Sequence, residues 1–272
     1  MDRDTTRFFG TIPEHYDQGL GPVIFVDYAA DMARRTAAGK PMRVLETAAG
    51  TGIVTRRLRD VLPAGAHLTA TDFSPPMLEI ARTRFRPDEQ VVFQPADATA
   101  LPFADESFDA VVCQFGLMFF PDKDKSYREV HRVLAPGGRY LFSVWDSHDY
   151  NPFARIGHAV VQSFFPVNPP QFYAVPFSCN AIDPIKEAVL AAGFEHFDAT
   201  VLRLQKVFPD ARAFARGMIY GNPVIDQMRA RGGSVDPERA VDAVVAELHR
   251  EFGPDPGRMP LQAILFTAGK ST

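Results

Sequence analysis

The segment VLETAAGTG, residues 44–52, contains the turn that decides the fold. It begins as a short apolar strand, ends that strand on the acidic side chain of Glu46, and turns through small residues. Apolar residues then recur at helical spacing from Ile53 to Leu62, so we expect a helix directly after Gly52. A strand that passes through a small-residue turn into a helix is typical of a parallel α/β sheet.

Strand and helix patterns alternate along the next part of the chain. Further strands are predicted at residues 67–72, 90–94, 108–114 and 138–144. Helices are predicted from Ser74, a good N-cap residue, and over 124–134. Residues 197–207 and 262–267 predict two more strands, the second of them at an edge of the sheet. We therefore expect a doubly wound, Rossmann-like α/β fold.

The remaining segments predict helical additions to this sheet. Residues 1–40 contain a helical pattern over 20–38 and predict an N-terminal helical cap before a single domain at 41–272. Residues 146–180 are rich in aromatic residues and proline, too long for an ordinary connection and too apolar for a solvated linker, so we expect a lid. Residues 209–257 predict a helical insertion.

Composition argues against several classes of protein. The 29 Lys and Arg against 33 Asp and Glu give a net charge of −4, so no basic excess exists to bind nucleic acid. With two cysteines and neither C-x-x-C nor H-E-x-x-H spacing, no metal site is predicted. The sequence has no secretory signal pattern and no stretch that could span a bilayer, so we expect a cytoplasmic protein without integral membrane association.

The turn and the strand that follows it also predict a ligand site. Small residues at Ala48, Gly50 and Gly52 let the backbone approach a ligand closely. Asp72 ends the second strand, where a carboxylate can accept hydrogen bonds from ribose hydroxyls. The simpler interpretation is a tight connection beside solvated acids. Because Asp97 also follows a strand at the same sheet edge, we favour a ligand in the crevice there.

A nicotinamide dinucleotide is the first alternative ligand. Its fingerprint needs glycines at positions 48, 50 and 53, where this chain has Ala48, Gly50 and Ile53. A nicotinamide-dependent oxidoreductase is therefore disfavoured, and it would be recognised by NADH binding.

The turn instead resembles the E/D-x-G-x-G-x-G loop of class I S-adenosylmethionine-dependent methyltransferases, with Ala48 in place of the first glycine. The resemblance extends to TDFSPPML at 71–78, ADATALPFADESFDAVVCQFGLMFF at 96–120 and REVHRVLAPGGRYLFSVW at 128–145. Together these segments are similar to the ubiquinone and menaquinone biosynthesis methyltransferase group and its small-molecule relatives. The resemblance ends near Trp145.

This resemblance implies a methyltransferase domain with seven strands, the last antiparallel, and S-adenosylmethionine as cofactor. It also implies roles for individual residues. The backbone around Ala48 and Gly50 would hold the methionine moiety, beside Glu46 and Gly52, and Asp72 the ribose. The remaining implied contacts are Phe73 and Met77 with the adenine face, Asp97 and Ala98 with the adenine edge, and Gln114 and Phe115 with the methionine end.

The expected chemistry depends on positioning, because a sulfonium methyl is already activated and needs an aligned acceptor in a dry site. Tyr16 is a candidate for a cation–π contact with the sulfonium. His148 and His15 are candidate general bases, since both segments should border the acceptor. A lone histidine is more often structural than catalytic, and no partner is visible in the sequence.

We therefore expect methyl transfer to an O, N or C atom of a small, largely apolar metabolite, because the aromatic lid would present an apolar wall. The alternative is a non-catalytic regulator or partner subunit that binds S-adenosylmethionine or S-adenosylhomocysteine. A monomer or a homodimer is compatible with the sequence. Asp109 opens its strand at the far end and is expected to serve a structural contact, and Cys113 to be a buried small residue.

Overall fold

The computed structural model describes residues 8–232 and 235–272. Its strands are β1 Arg43–Glu46, β2 His67–Asp72, β3 Val91–Pro95, β4 Phe108–Gln114, β5 Leu134–Trp145, β6 His196–Phe208 and β7 Gly257–Gly269. These form a seven-stranded sheet of order β3-β2-β1-β4-β5-β7-β6, which agrees with the expected doubly wound α/β fold.

The helices are α1 Ile12–His15, a π-helix Tyr16–Phe25, α2 Val26–Ala37, α3 Ile53–Val61, α4 Pro75–Arg82, α5 Lys123–Val133, α6 Pro152–Phe164, α7 Ile182–Ala191, α8 Ala211–Tyr220, α9 Val224–Ala230 and α10 Pro237–Phe252. The chain divides into two compact units. One, here the helical unit, comprises residues 8–25, Trp145–Ser178 and the described part of Leu202–Ala263. The other, here the sheet unit, comprises Val26–Val144, Cys179–Val201 and Ile264–Thr272.

Parallel pairing organises the sheet unit. β1 pairs with β2 and β4, β2 with β3, and β4 with β5, all parallel. The carboxyl ends of β1, β2 and β4 therefore lie at one edge, which is where ligands bind in open α/β sheets. Amphipathic α2 and α3 pack together, and Leu45, Leu58, Leu68 and Leu78 are fully buried.

The predicted start of β5 at Gly138 is wrong, because the strand begins at Leu134. Phe108 pairs with Leu134 but Ala110 pairs with Arg139, so the strand bulges between these two pairs. Gly137, which has a φ of +74°, lies in this bulge.

The prediction of residues 262–267 as an edge strand is also wrong. β7 lies between β5 and β6, and β6 takes the edge. The N–H of Gly137 donates to the carbonyl of Ser271 and the N–H of Lys270 to that of Gly138, so the start of β5 meets the end of β7 and the two run antiparallel. The order of the last strands depends on these non-local hydrogen bonds, which a local pattern does not encode.

The helical pattern predicted over residues 20–38 is divided between two helices. The π-helix precedes α2 and contains Pro22, which lacks the N–H that a regular α-helical ladder requires. Of the predicted cap at 1–40, residues 1–7 lie outside the described part, the π-helix belongs to the helical unit, and α2 to the sheet unit.

Small residues and aromatic rings pack the helical unit. A β-carbon on Gly19 would lie 2.6 Å from the Cα of Gly217, so the backbones of the π-helix and α8 touch. Phe214 of α8 packs against Phe153 and Phe208, with ring centroids 5.8 and 5.9 Å away. The segments predicted as lid and insertion form α6 and α8 to α10, with residues 233 and 234 outside the described part; their roles stay predictions.

The buried side chain of Asn151 connects segments of the helical unit through hydrogen bonds. Its replacement by alanine should destabilise the protein by about 2–4 kcal/mol. Its amide donates to the carbonyls of Asp146, Ser147 and Gln262, and its oxygen accepts from the N–H of Gln262 at 3.0 Å. Urea unfolding of N151A measures the loss. Alanine at the exposed Gln205 is the control and should change the free energy of unfolding by less than about 0.5 kcal/mol. Equal effects would contradict the assigned role.

Candidate functional site

The turn after β1 is held in a left-handed backbone conformation at three alternate positions. Ala48, Gly50 and Gly52 have φ values of +55°, +55° and +79°. The N–H of Ala49 donates to the carbonyl of Thr71 at 2.9 Å, so the turn is fastened to the end of β2. Glycine adopts this conformation freely, whereas Ala48 is strained, and such strain is found mainly where a site requires it.

The two glycines of the turn have different surroundings. A β-carbon on Gly50 would meet no atom within 4 Å, whereas one on Gly52 would lie 2.9 Å from the Cβ and 3.0 Å from the Cα of Ala81 in α4. Gly52 is therefore required for packing of the turn against α4. The space beside Gly50 is open and can admit a ligand.

Asp72 connects the turn to the end of β2. Its Oδ2 accepts the N–H of Gly50 at 2.8 Å and its Oδ1 accepts the N–H of Ser74 at 2.8 Å. Burial raises the pKa of Asp72, while these backbone N–H groups oppose that rise. Each carboxylate oxygen has a second lone pair, so Asp72 can still accept hydrogen bonds from ligand hydroxyls.

Glu46 ends β1 and is 1% exposed. Its Oε2 has no hydrogen-bond partner among the described residues, and the buried hydroxyl of Thr51 has none there either. Burial raises the pKa of Glu46 to about 8; a hydrogen bond from the backbone N–H of Thr55 opposes the rise and the charge of Asp72 adds to it. Buried polar atoms without partners are rare and indicate a missing donor or acceptor, such as a ligand could supply.

The residues assigned to an adenine ring surround the end of β2. Phe73 follows Asp72 and is 70% exposed, whereas Met77 in α4 is 4% exposed. An exposed phenyl ring at a ligand edge offers a face for a planar group. Asp97 follows the neighbouring strand β3 and is exposed, with Oδ1 accepting from the N–H and hydroxyl of Thr99 at 2.8 Å; Ala98 is partly exposed.

The end of β4 completes this edge. Gln114 is its last residue, and Phe115 has a φ of +53° and donates its N–H to the carbonyl of Ser143 at 3.0 Å. A β-carbon on Gly116 would lie 2.4 Å from the Cβ of Ala48, so the turns after β1 and β4 are in contact. Gly116 and Thr51 were not predicted from the sequence pattern. A glycine directly after a strand was the available signal for Gly116.

Tyr16 and His15 lie in the helical unit. Tyr16 stacks on Phe25, with centroids 5.0 Å apart, and meets the edge of Phe8 at 5.8 Å. The ring of His15 lies 5.3 Å from that of Tyr220.

His148 is also in the helical unit, after β5. Its Nε2 lies 3.2 Å from the carbonyl oxygen of Tyr173, and its ring lies 4.7 Å from Phe177 and 5.6 Å from His158. Burial lowers the pKa of both histidines. Neutral His148 would donate Nε2–H to the carbonyl, which leaves Nδ1 as a proton acceptor.

Two residues placed outside the site have the structural roles expected of them. The carboxylate of Asp109 accepts the N–H groups of Met42 and Arg43 at 3.0 and 2.8 Å, at the opposite edge of the sheet. Cys113 is fully buried in β4, and burial raises the pKa of its thiol to about 11. A thiol with that pKa is a poor nucleophile.

The described residues contain no group of three His, Cys, Asp or Glu side chains arranged to hold a metal ion. No helix among them combines the length and apolar character that a membrane crossing needs. The groups at this sheet edge instead fit S-adenosylmethionine: an open glycine turn, a carboxylate with spare lone pairs, an exposed phenyl ring and a buried carboxyl with one oxygen that has no donor among the described residues.

Comparison with known proteins points in the same direction. Residues 45–142 match the family described as "Methyltransferase domain". The demethylmenaquinone methyltransferase of Thermus thermophilus is 36% identical over 177 residues, which cover 61% of this chain and 79% of that protein. The ubiquinone/menaquinone biosynthesis C-methyltransferase of Pectobacterium carotovorum is 34% identical over 133 residues, 43% of this chain and 53% of that protein. The chain thus spans about half the length of this second relative.

Solved structures share the fold. Phosphoethanolamine N-methyltransferase 2 of Haemonchus contortus, in complex with S-adenosyl-L-methionine, has a TM-score of 0.60 at 18% identity. The alignment covers 99% of this chain and 59% of that one.

Proposed function

The chain belongs to the class I S-adenosylmethionine-dependent methyltransferases, in the ubiquinone and menaquinone group, and on this premise we propose that its acceptor is an apolar aromatic molecule of the quinol type. The family transfers a methyl group from S-adenosylmethionine to a small molecule. The quinol is our first candidate because the names of two relatives contain a quinone. The many aromatic side chains after residue 142, beyond the matched family region, support an apolar acceptor.

The contact between Gly50 and Asp72, beside the open space at Gly50, is the observation that carries the assignment of the cofactor site. We assign the ribose to Asp72 and the methionine moiety to the backbone of the turn. The other assigned contacts are Phe73 and Met77 for the adenine face, Asp97 and Ala98 for its edge, and Glu46, Ala48, Gly52, Gln114 and Phe115 for the methionine end.

S-adenosylmethionine supplies an activated methyl group. The protein therefore has to bind the cofactor, align the acceptor with the methyl group and exclude water. The strained turn and Asp72 are preorganised by their mutual hydrogen bond, which lowers the entropy cost of alignment. Tyr16, with its aromatic neighbours, is assigned to the sulfonium, where a ring face contributes about 0.5–2 kcal/mol.

A carbon acceptor on a quinol ring becomes more nucleophilic when a hydroxyl loses its proton. Among the candidate bases we favour His148 over His15, since burial lowers the pKa of His148 and its Nε2 is held by the Tyr173 carbonyl. A neutral imidazole with a free Nδ1 lone pair is the form that accepts a proton. We further propose that the protein acts in the cytoplasm as a monomer or homodimer and has no nucleic-acid partner.

The decisive experiment incubates the purified protein with isotopically labelled S-adenosylmethionine and matched panels of quinols, phenols and amines. We expect labelled methyl in a carbon–carbon bond of the quinol products. Transfer only to amines or phenol oxygens would reject the quinol, and cofactor binding without transfer to any panel would favour a binding subunit.

Gly50→Ala should fold but bind S-adenosylhomocysteine at least about tenfold more weakly. The new methyl group enters the open space where the ligand backbone contact is assigned, while the folded protein loses only about 1 kcal/mol for a left-handed alanine. Gly137→Ala is the matched control, because Gly137 also has a left-handed φ of +74° but lies at the start of β5, where a β-carbon would meet only Thr272 at 3.5 Å, so the affinity should not change. Titration calorimetry and thermal unfolding separate the two effects. Unchanged affinity of G50A would remove Gly50 from the site.

A further inference from the structure

Backbone strain in the described part of the chain is found at the ends of β1 and β4. Two residues there have a left-handed φ although they are not glycine and not exposed, Ala48 at +55° and Phe115 at +53°. The other non-glycine residues with a positive φ are all exposed and lie outside the helices and strands: Lys40, Gln90, Glu106 and Asn168. Strain at a partly or fully buried residue persists only where the surrounding structure maintains it, and it is concentrated at functional sites.

The methyl group of Ala48 fills the space between the two turns. A β-carbon on Gly116 would lie 2.4 Å from Cβ of Ala48, 2.9 Å from Sγ of Cys113 and 3.6 Å from the ring of Phe120. Gly116 has a φ of −98° and a ψ of −36°, which any residue can adopt. Glycine is therefore required at position 116 by the lack of space and not by its conformation.

This arrangement is not the one of least strain. Glycine at position 48 and alanine at position 116 would place a methyl group between the turns without a left-handed alanine. Glycine at position 48 would, however, stand in one turn with Gly50 and Gly52, and glycine loses the most conformational freedom when a segment is ordered. Ala48 thus restricts the turn before a ligand arrives, beside the open space at Gly50.

We propose that Ala48 is a positioning residue, whose methyl group packs against Gly116 and holds the turn after β1 in one conformation, with the backbone of Gly50 ready for the amino-acid end of the cofactor. This inference rests on the proposed cofactor site. Ala48 acts through the turn, so its methyl group needs no contact with the ligand. Binding is stronger because the ligand does not have to order the turn. The ribose end has a separate support, since Asp72 also accepts the N–H of Ser74.

Ala48→Gly should change affinity and stability in opposite directions. The substitution removes a strained φ, so the melting temperature of the ligand-free protein should stay the same or rise. The dissociation constant for S-adenosylhomocysteine should increase by about 3- to 10-fold, because binding then has to order the turn. Methylthioadenosine, which lacks the amino-acid end, should bind as it does to the wild type. Titration calorimetry and thermal unfolding of the full chain measure these quantities.

Gln90→Gly is the matched control for the relief of strain. Gln90 has nearly the same φ, +53°, but is exposed and directly precedes β3. Q90G should change the melting temperature as A48G does and leave both affinities unchanged.

The double variant A48G/G116A moves the methyl group to the other turn. Its new β-carbon no longer meets a methyl group at position 48, and Sγ of Cys113, 2.9 Å away, has to shift. We expect the double variant to recover most of the affinity that A48G loses. G116A alone adds a second methyl group to a filled space and should lower the melting temperature.

Three results would overturn the inference. They are an affinity of A48G for S-adenosylhomocysteine equal to that of the wild type, an equal loss of affinity for both ligands, and no recovery in a folded double variant. If the double variant does not fold, A48G with the two ligands still decides. Failure of the wild type to bind either ligand would instead reject the cofactor site itself, so the two failures are distinguishable.

Discussion

Asp72→Ala should weaken the binding of S-adenosylhomocysteine by about 5- to 150-fold, or about 1–3 kcal/mol. The substitution removes a charged acceptor from the ribose hydroxyls assigned to it. It also releases the N–H groups of Gly50 and Ser74, so the turn loses the contact that preorganises it. Both effects act on affinity, and titration calorimetry measures their sum.

Asp109→Ala is a matched control within the same sheet. Asp109 also accepts two backbone N–H groups, but at the opposite edge, from Met42 and Arg43. We expect D109A to lower stability by an amount similar to D72A and to leave the affinity within about twofold of wild type. An unchanged dissociation constant in D72A would exclude Asp72 from the site, whatever its effect on stability.

The free energy of unfolding of the ligand-free protein should fall as pH rises from 6 to 8, by roughly 2 kcal/mol through Glu46 alone. Its pKa is about 8 in the folded protein against an ordinary value of 4.5. Between these values the folded state holds a proton that the unfolded state has lost, so stability decreases with pH. Above about pH 9 both states are ionised at Glu46 and this contribution is constant.

Urea unfolding at pH 6, 7 and 8 tests this prediction, with Glu46→Gln as the reference that has no titrating group at the position. The difference in free energy between E46Q and wild type should grow in favour of E46Q as pH rises. A constant difference would show that Glu46 is already ionised at pH 6. The measurement needs no ligand, so its result is independent of the assigned function.

The sequence predicted what is encoded locally. The strand, small-residue turn and helix at residues 43–61 follow from one apolar period and from glycine conformations, and the structure has them there. Asp72 was predicted beside the turn because parallel neighbouring strands end at one edge, and its 2.8 Å hydrogen bond to Gly50 is that arrangement.

The pairing of strands that lie far apart in the chain could not be predicted from the sequence pattern. The position of β7 inside the sheet depends on hydrogen bonds such as that of Lys270 with Gly138, far apart in the chain. The bulge in β5 depends on the register with β4. In the site, the acidity of Glu46 was not predictable either, because it depends on how completely neighbouring elements exclude water.

The contact between the turns after β1 and β4 also concerns how this chain diverged from the methyltransferase motif. Ala48 stands where the motif has its first glycine, and opposite it the backbone of Gly116 leaves room for that methyl group alone. Two positions 68 residues apart thus share one methyl-sized volume. A substitution at one position therefore constrains the residues that fit at the other, so the two positions should covary among related sequences. Transfer of only one of these loops into a homologue would bring one of the two complementary residues without the other.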